Sequence, residues 1–237
     1  MKITILTLFP EMFAGPFDYS IIKRAKEKNL VTIDLVNLRD FGIGPHKMVD
    51  DTPYGGGVGM VLKVDVLHKA LVQIKTDFSK QSNNKKIKQH VILTSASGKP
   101  FKQTTAKSYS QLDHLIIICG HYEGVDQRIM HYLDEEISIG DFVLTGGELP
   151  AMIMTDSVVR LLEGAITEGA VEDESFSAEI PLLEYPHYTK PRNYEGQDVP
   201  EVLLSGNHQE IAKWRQEQSL EKTKHIRPDL LKETTEK

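Results

Sequence analysis

The chain predicts an α/β fold, a mostly parallel sheet with helices on both faces, followed by a small helical C-terminal domain. Three observations predict it. Short apolar strands and helically spaced segments alternate from Lys2 to Leu162, the pattern of β/α units winding onto one sheet. Glycines gather where two of the strands end, at Gly120 and at Gly146-Gly147. After Gly164 the alternation stops, and an acidic stretch without a period leads into a proline- and tyrosine-rich one.

Lys2 to Leu8 reads as a short buried strand that Phe9-Pro10 ends. Met12, Phe13, Phe17, Ile21, Ile22 and Ala25 carry a helical spacing through Glu11 to Asn29, broken near its start by Gly15-Pro16. Val31 to Leu38 alternates like a strand, and Asp40 to Met60 is a long Gly-, Pro- and Asp-rich loop, a length that usually carries function. Helices are predicted at Val64–Lys75, Phe101–Ser110, Val125–Leu133 and Leu149–Leu162, and strands at His90–Thr94, Leu115–Cys119 and Ile137–Leu144. Beyond the sheet, Ser205-Gly206-Asn207 precedes a helix over His208–Thr223 with Ile211, Trp214 and Leu220 as its buried positions. A last, frayed helix is expected over Asp229 to Glu236. The expected organisation is residues 1–162 as the sheet domain, 163–177 as an acidic linker and 178–237 as a helical domain.

The length of 237 residues fits one medium domain with a smaller one. No run of about 18 apolar residues occurs, and MKITILTLFPEMF lacks a signal-peptide pattern. A single cysteine, Cys119, forbids an internal disulfide and suits a reducing compartment, so a cytoplasmic chain with no membrane partner is expected. Ending an apolar strand, that thiol reads as buried and inert. A formal net charge of −6 argues against indiscriminate nucleic-acid binding, so phosphates would have to meet local patches. Lys75–Lys88 and the tail cations Lys190, Arg192, Lys213, Arg215, Lys222, Lys224 and Arg227 are candidates, beside the reading that they are solvated surface charges.

Several chemistries drop out. YGGGVG at Tyr54–Gly59 has no Lys-Ser or Lys-Thr at Walker spacing and follows a loop rather than a strand. The nine histidines include no H-x-x-x-H pair, so no metal site is expected. No G-x-S-x-G elbow is present for a hydrolase. What remains is the stretch CGHYEGVDQRIMHYLDEEISIGDFVLTGGELP, from Cys119 to Pro150. Polar and charged side chains crowd between glycine-bearing strand ends, where α/β sheets bind ligands.

CGHYEGVDQRI and SIGDFVLTGGELPAM resemble the cofactor loops of bacterial tRNA (guanine-N1)-methyltransferases, the TrmD family of SPOUT-type knotted enzymes. ITILTLFPEMF, YGGGVGMVLK, PHYTKPRNYEG and VPEVLLSGNHQEIAKWRQEQSLEKT extend the resemblance, in order, over almost the whole chain. It implies a deep trefoil knot over roughly Val91 to Ala165, although general topology rules would predict none. It also implies S-adenosyl-L-methionine as methyl donor, tRNA as partner, position 37 beside the anticodon as target, and a homodimer with composite active sites.

Residue by residue, the resemblance implies donor contacts from Gly120, Ile139, Gly140, Asp141, Phe142, Val143 and Leu144, with Tyr122, Glu123, Gly146, Gly147 and Pro150 as flanking walls. Ser95 to Gly98 matches a further loop, with Ala96 where relatives carry Pro. Arg160 matches the arginine at the target guanine. In the family a catalytic Asp directly precedes a Ser-Phe pair; here Glu174 precedes Ser175-Phe176 and Asp173 lies one residue earlier. Position favours Glu174 and residue type favours Asp173 as the base. Two other readings stand beside this one: a non-catalytic RNA-binding protein on the same fold, and a knotted methyltransferase acting on rRNA or on ribose 2′-OH.

Overall fold

The computed structural model describes residues 1–81, 87–167, 174–177 and 181–232. The chain forms two compact units, Met1–Ile166 and Thr167–Lys237. The first unit is built on β1 (Lys2–Thr7), α1 (Ser20–Glu27), β2 (Thr32–Asn37), the two-residue strands β3 (Asp50–Asp51) and β4 (Val61–Leu62), α2 (Val64–Gln81), β5 (Gln89–Pro100), α3 (Gln103–Tyr109), β6 (His114–Cys119), β7 (Glu135–Ser138) and α4 (Glu148–Val159). Among the described residues, five strands make one parallel sheet in the order β2-β1-β6-β5-β7.

The apolar run of β6 explains its central place. All six of its residues are buried, because side chains alternate between two faces that are both covered. Leu115, Ile117 and Cys119 join Ile3 and Ile5 of β1 beneath α1, α3 and α4, which contribute Ile22, Ala106, Met154 and Val158. Ile116 and Ile118 point the other way, with Leu6 and Leu93, beneath Leu67, Ala70 and Leu71 of α2 and Ile129. Each Leu or Ile buried in full contributes about 1.5–3 kcal/mol, so these two layers hold the sheet. No helix among the described residues is long and apolar enough to cross a membrane.

The structure differs from the sequence expectations at several places. The predicted Ile137–Leu144 strand is β7, which ends at Ser138. There the Ser138 hydroxyl accepts from the Gly140 N–H at 3.2 Å and donates to the Gly140 carbonyl at 3.0 Å, and this local turn replaces further ladder bonds. β5 runs on past Thr94 because its register against β7 shifts between Thr94 and Lys99, a bulge that lets the strand continue. The helix expected over Val125–Leu133 is a 3-10 turn, Gln127–Tyr132, whose first turn is capped by the Asp126 side chain accepting from the Arg128 N–H. Gly15-Pro16 divides Glu11–Asn29 into a 3-10 turn at Pro10–Phe13 and α1.

His114 is a fully buried histidine at the start of β6. The Gln89 amide donates to its Nδ1 at 2.8 Å, which leaves Nε2–H to donate to Thr4 Oγ1 at 2.8 Å. Burial, with Lys2 adding to it, pushes its pKa down from 6.5 to about 4. The folded pKa lies below the unfolded one, so between those values the unfolded chain takes up a proton that the native protein refuses. Stability conferred by the neutral ring is therefore complete above pH 6.5 and lost as pH falls toward 4. Thermal melts across that window should show the wild-type advantage over His114→Gln shrinking toward the acid end; parallel profiles would refute this role.

The second unit contains a hairpin of β8 (Asn193–Tyr194) and β9 (Gln197–Asp198), then α5 (Glu201–Leu204), α6 (His208–Ile226) and α7 (Asp229–Lys232). Pro181 to Pro200 is thus less irregular than its proline content suggests: Glu195 and Gly196 both have positive φ, the geometry of a tight hairpin turn. Asn207 caps α6 by accepting from the N–H groups of Gln209 and Glu210. Its buried residues are Ser219 and Thr223 rather than the expected Ile211, Trp214 and Leu220, and Leu220 is 36% exposed. The cause is a polar attachment: the Leu183 N–H donates to Thr223 Oγ1 at 2.9 Å, drawing that face of the helix against residues 182–184.

Candidate functional site

Parallel strands deliver their C-terminal ends to one edge of the sheet, and three loops meet there. The first follows Thr94 in β5, the second follows β6 at Gly120, and the third runs from Ile139 to Gly147. Thr94 ties them together. Its hydroxyl donates to the Ile118 carbonyl at 3.1 Å and accepts from the Gly120 N–H at 3.1 Å. The Gly147 N–H in turn donates to the Gly120 carbonyl at 2.8 Å, and His121 and Gly146 form an antiparallel bridge.

Glycine is demanded here by close approach. A Cβ on Gly147 would stand 1.9 Å from Thr94 Oγ1 and 2.7 Å from the Gly120 nitrogen. One on Gly120 would stand 2.7 Å from the Thr94 carbonyl oxygen. These glycines seam loop to loop; neither leaves open space that a side chain would merely fill. Tyr122, a bulky residue with φ 58°, adds a strained conformation of the kind concentrated at ligand sites.

The loops enclose a cavity of about 450 Å³. Of the residues singled out in the sequence, Ser95, Gly120, Tyr122, Glu123, Ile139, Gly140, Phe142, Val143, Leu144, Gly146, Gly147 and Pro150 line it. Asp141 is exposed and is not one of its walls, although both chain neighbours are. Thr94, His121, Met130, Glu136 and Ser138 also line it; the last four belong to the polar stretch already singled out, whereas Thr94 reaches the site through the pairing of β5 with β6 and carries no signal in the sequence. Glu123 is backed by the glycine-rich loop: a Cβ on Gly59 would meet its Cγ at 2.4 Å, and its N–H donates to the Met60 carbonyl at 3.1 Å.

Behind the cavity lies Glu148, 1% exposed, accepting at 2.8 Å from the Thr7 hydroxyl. Cys119 is 2% exposed, and burial, reinforced by the Glu148 charge, raises its thiol well above the ordinary range, as an inert cysteine requires. Arg160 is the C-terminal cap of α4, a helix about 18 Å long whose other end meets the cavity, and it is not a cavity wall. Glu174 belongs to the second unit, where Ser177 N–H donates to its carbonyl at 3.1 Å and the Phe176 N–H donates to the Leu182 carbonyl at 3.0 Å. Asp173 lies outside the described residues.

A family model described as tRNA (Guanine-1)-methyltransferase TrmD matches residues 1–233. The chain belongs to the TrmD family. It is 53% identical over 234 residues to a tRNA (guanine-N(1)-)-methyltransferase of Carboxydothermus hydrogenoformans, spanning 98% of this chain and 88% of that protein. Proteins of the same description from Desulforamulus reducens and Staphylococcus carnosus are each 51% identical, over 235 and 233 residues, spanning 98% of this chain and 89% and 91% of theirs. In this TrmD family member the strings that suggested a ligand site, CGHYEGV and SIGDFVLTGGELP, are the second and third loops of the cavity.

Proposed function

We propose that this chain transfers the methyl group of S-adenosyl-L-methionine to N1 of guanosine 37 of tRNA. The observation that carries the reading is the three-loop cavity, set at the C-terminal edge of the sheet in a chain that the family model matches over residues 1–233. The residues fit the donor. About 450 Å³ is within the range of small-molecule sites, roughly 300–1,000 Å³. Ile139, Leu144 and Pro150 offer apolar walls for a flat base. The donor, when bound, supplies a methyl group already activated on a sulfonium.

The protein's own part is alignment, exclusion of water and proton removal. N1 of guanine is a poor nucleophile while protonated, so a carboxylate must take that proton as the methyl arrives. Glu174 is our candidate by position, and Asp173 its alternative by residue type. Arg160 is the candidate for stabilising the negative charge that spreads to O6. Asp141, outside the cavity wall, lies between Gly140 and Phe142, the proposed donor contacts that do line it. The trefoil knot over roughly Val91 to Ala165 belongs to the same proposal, supported by β5 lying between β6 and β7 and by the Gly120–Gly147 seam.

A homodimer with composite sites is proposed as well. Leu149 and Ile153, one turn apart on α4, are each 48% exposed, and Val143 is 86% exposed, apolar area that a second copy would cover. The basic side chains of the second unit, Lys190, Arg215 and Lys224 among them, are assigned to tRNA phosphates. The cytoplasm is the proposed location, in keeping with a single buried thiol.

Nucleoside mass spectrometry of tRNA incubated with the protein and labelled donor should place one methyl on N1 of guanosine 37; label on a ribose, or none, would overturn the assignment. The composite site has its own test. A Gly147→Ala chain and a chain carrying both Asp173→Asn and Glu174→Gln, co-expressed and purified through two tags, should regain about half of wild-type activity per dimer, since one site per heterodimer keeps a good pocket and a good base. Activity no higher than that of either parent would place pocket and base in the same chain.

A further inference from the structure

Glu148, Thr7 and His121 form a buried polar group at the back of the cavity that the steps above leave without a task. A carboxylate that is 1% exposed has lost its hydration and needs partners in its place. One oxygen is satisfied by the Thr7 hydroxyl at 2.8 Å, and the residue sits in the first turn of the 12-residue helix α4. The second oxygen, Oε2, faces His121 Nδ1 at 3.9 Å. That separation is too long for a hydrogen bond, and Nδ1 is buried with no hydrogen-bond partner among the described residues. An orphaned buried nitrogen calls for a reason.

Gly146 explains how the two groups come to face each other. A Cβ there would stand 2.4 Å from Glu148 Oε2 and 2.5 Å from His121 Nδ1, so the glycine keeps the gap between them clear. On its other sides the imidazole packs on Phe9, with ring centroids 5.1 Å apart, and on Tyr122 at 5.0 Å. It forms part of the cavity wall, whereas Glu148 and Thr7 do not. Among the side chains beside the carboxylate, the His121 ring is the one that reaches the cavity wall.

We propose that Glu148 is a positioning residue of the donor pocket: anchored by Thr7, it draws His121 Nδ1 toward it and so fixes the imidazole wall and the neighbouring Gly120–Gly147 seam. The inference rests on the reading of the cavity as the donor site. Chain distance hides the device, since Thr7 and Glu148 are 141 residues apart and meet because α4 packs over β1 and β6.

The test is calorimetric titration of the full chain with S-adenosylmethionine. Glu148→Gln and His121→Phe should each weaken binding on the order of tenfold. The double variant should be hardly worse than either single one, because both remove the same contact. The KM for tRNA should stay near wild type, a split that a general loss of fold would not produce. Thr7→Val should give a smaller loss in the same direction and replaces Glu148→Gln in the cycle if that variant does not fold. Donor affinity within about twofold of wild type in the folded singles, or losses that multiply to about 100-fold in the double, would overturn the role. Failure of the wild-type chain to bind the donor would instead overturn the donor-site reading itself.

Discussion

Replacing Glu174 by Gln is expected to slow methyl transfer on the order of 10²-fold or more, with donor affinity nearly unchanged. A base acts as the proton leaves, so its loss falls on turnover rather than on ground-state binding. Asp173→Asn should cost less. The Ser175 hydroxyl accepts from the Glu184 N–H at 2.9 Å, and with the Phe176–Leu182 bond it fixes the Ser-Phe pair to which Glu174 is directly joined. Single-turnover rates of the two variants, measured beside calorimetric donor affinities, decide the matter. Should Asp173→Asn do the greater damage, residue type outweighs position and the base lies one residue earlier; if neither matters, the proton leaves by another route.

The second large effect is expected at Gly147. One added methyl, Gly147→Ala, would need to enter space held by Thr94 Oγ1 at 1.9 Å, the Gly120 nitrogen at 2.7 Å and the Cys119 Cα at 2.8 Å. Two of these three atoms are backbone, which cannot rotate away, so the third loop must lift off the second. Displacements near 1 Å at such a site cost on the order of 10²-fold, and donor binding should weaken by at least that. Overpacking of this kind also destabilises by about 1–3 kcal/mol, so the melting temperature should fall by several degrees without loss of the sheet. Adding Thr94→Ala removes only the hydroxyl contact and should leave most of the defect. Donor affinity restored in that double variant would show that the hydroxyl, and not the backbone seam, sets the limit.

What the sequence determined by itself follows from local physics. β6 is legible because a continuous Leu-Ile-Ile-Ile run is stable only with both faces covered, and the alternation of strands with helically spaced residues gives a parallel sheet with helices on both sides. The loops CGHYEGV and SIGDFVLTGGELP stood out in the sequence by their glycines and their place after apolar strands, and they meet at one cavity. The tertiary structure alone decided the rest. Ile139 to Leu144 reads as strand from its apolar side chains, yet Val143 is 86% exposed, because the Ser138–Gly140 turn ends the ladder and those side chains go to a cavity and a surface. α6 buries Ser219 and Thr223 because a backbone N–H 40 residues away finds the Thr223 hydroxyl, a contact no periodicity encodes. The glycines were visible as glycines, but whether each makes room for a ligand or for another stretch of backbone depends on which chain segment lies opposite. That is set by strand order, and in this protein the order places Thr94 between Gly120 and Gly147, and Thr7 against Glu148.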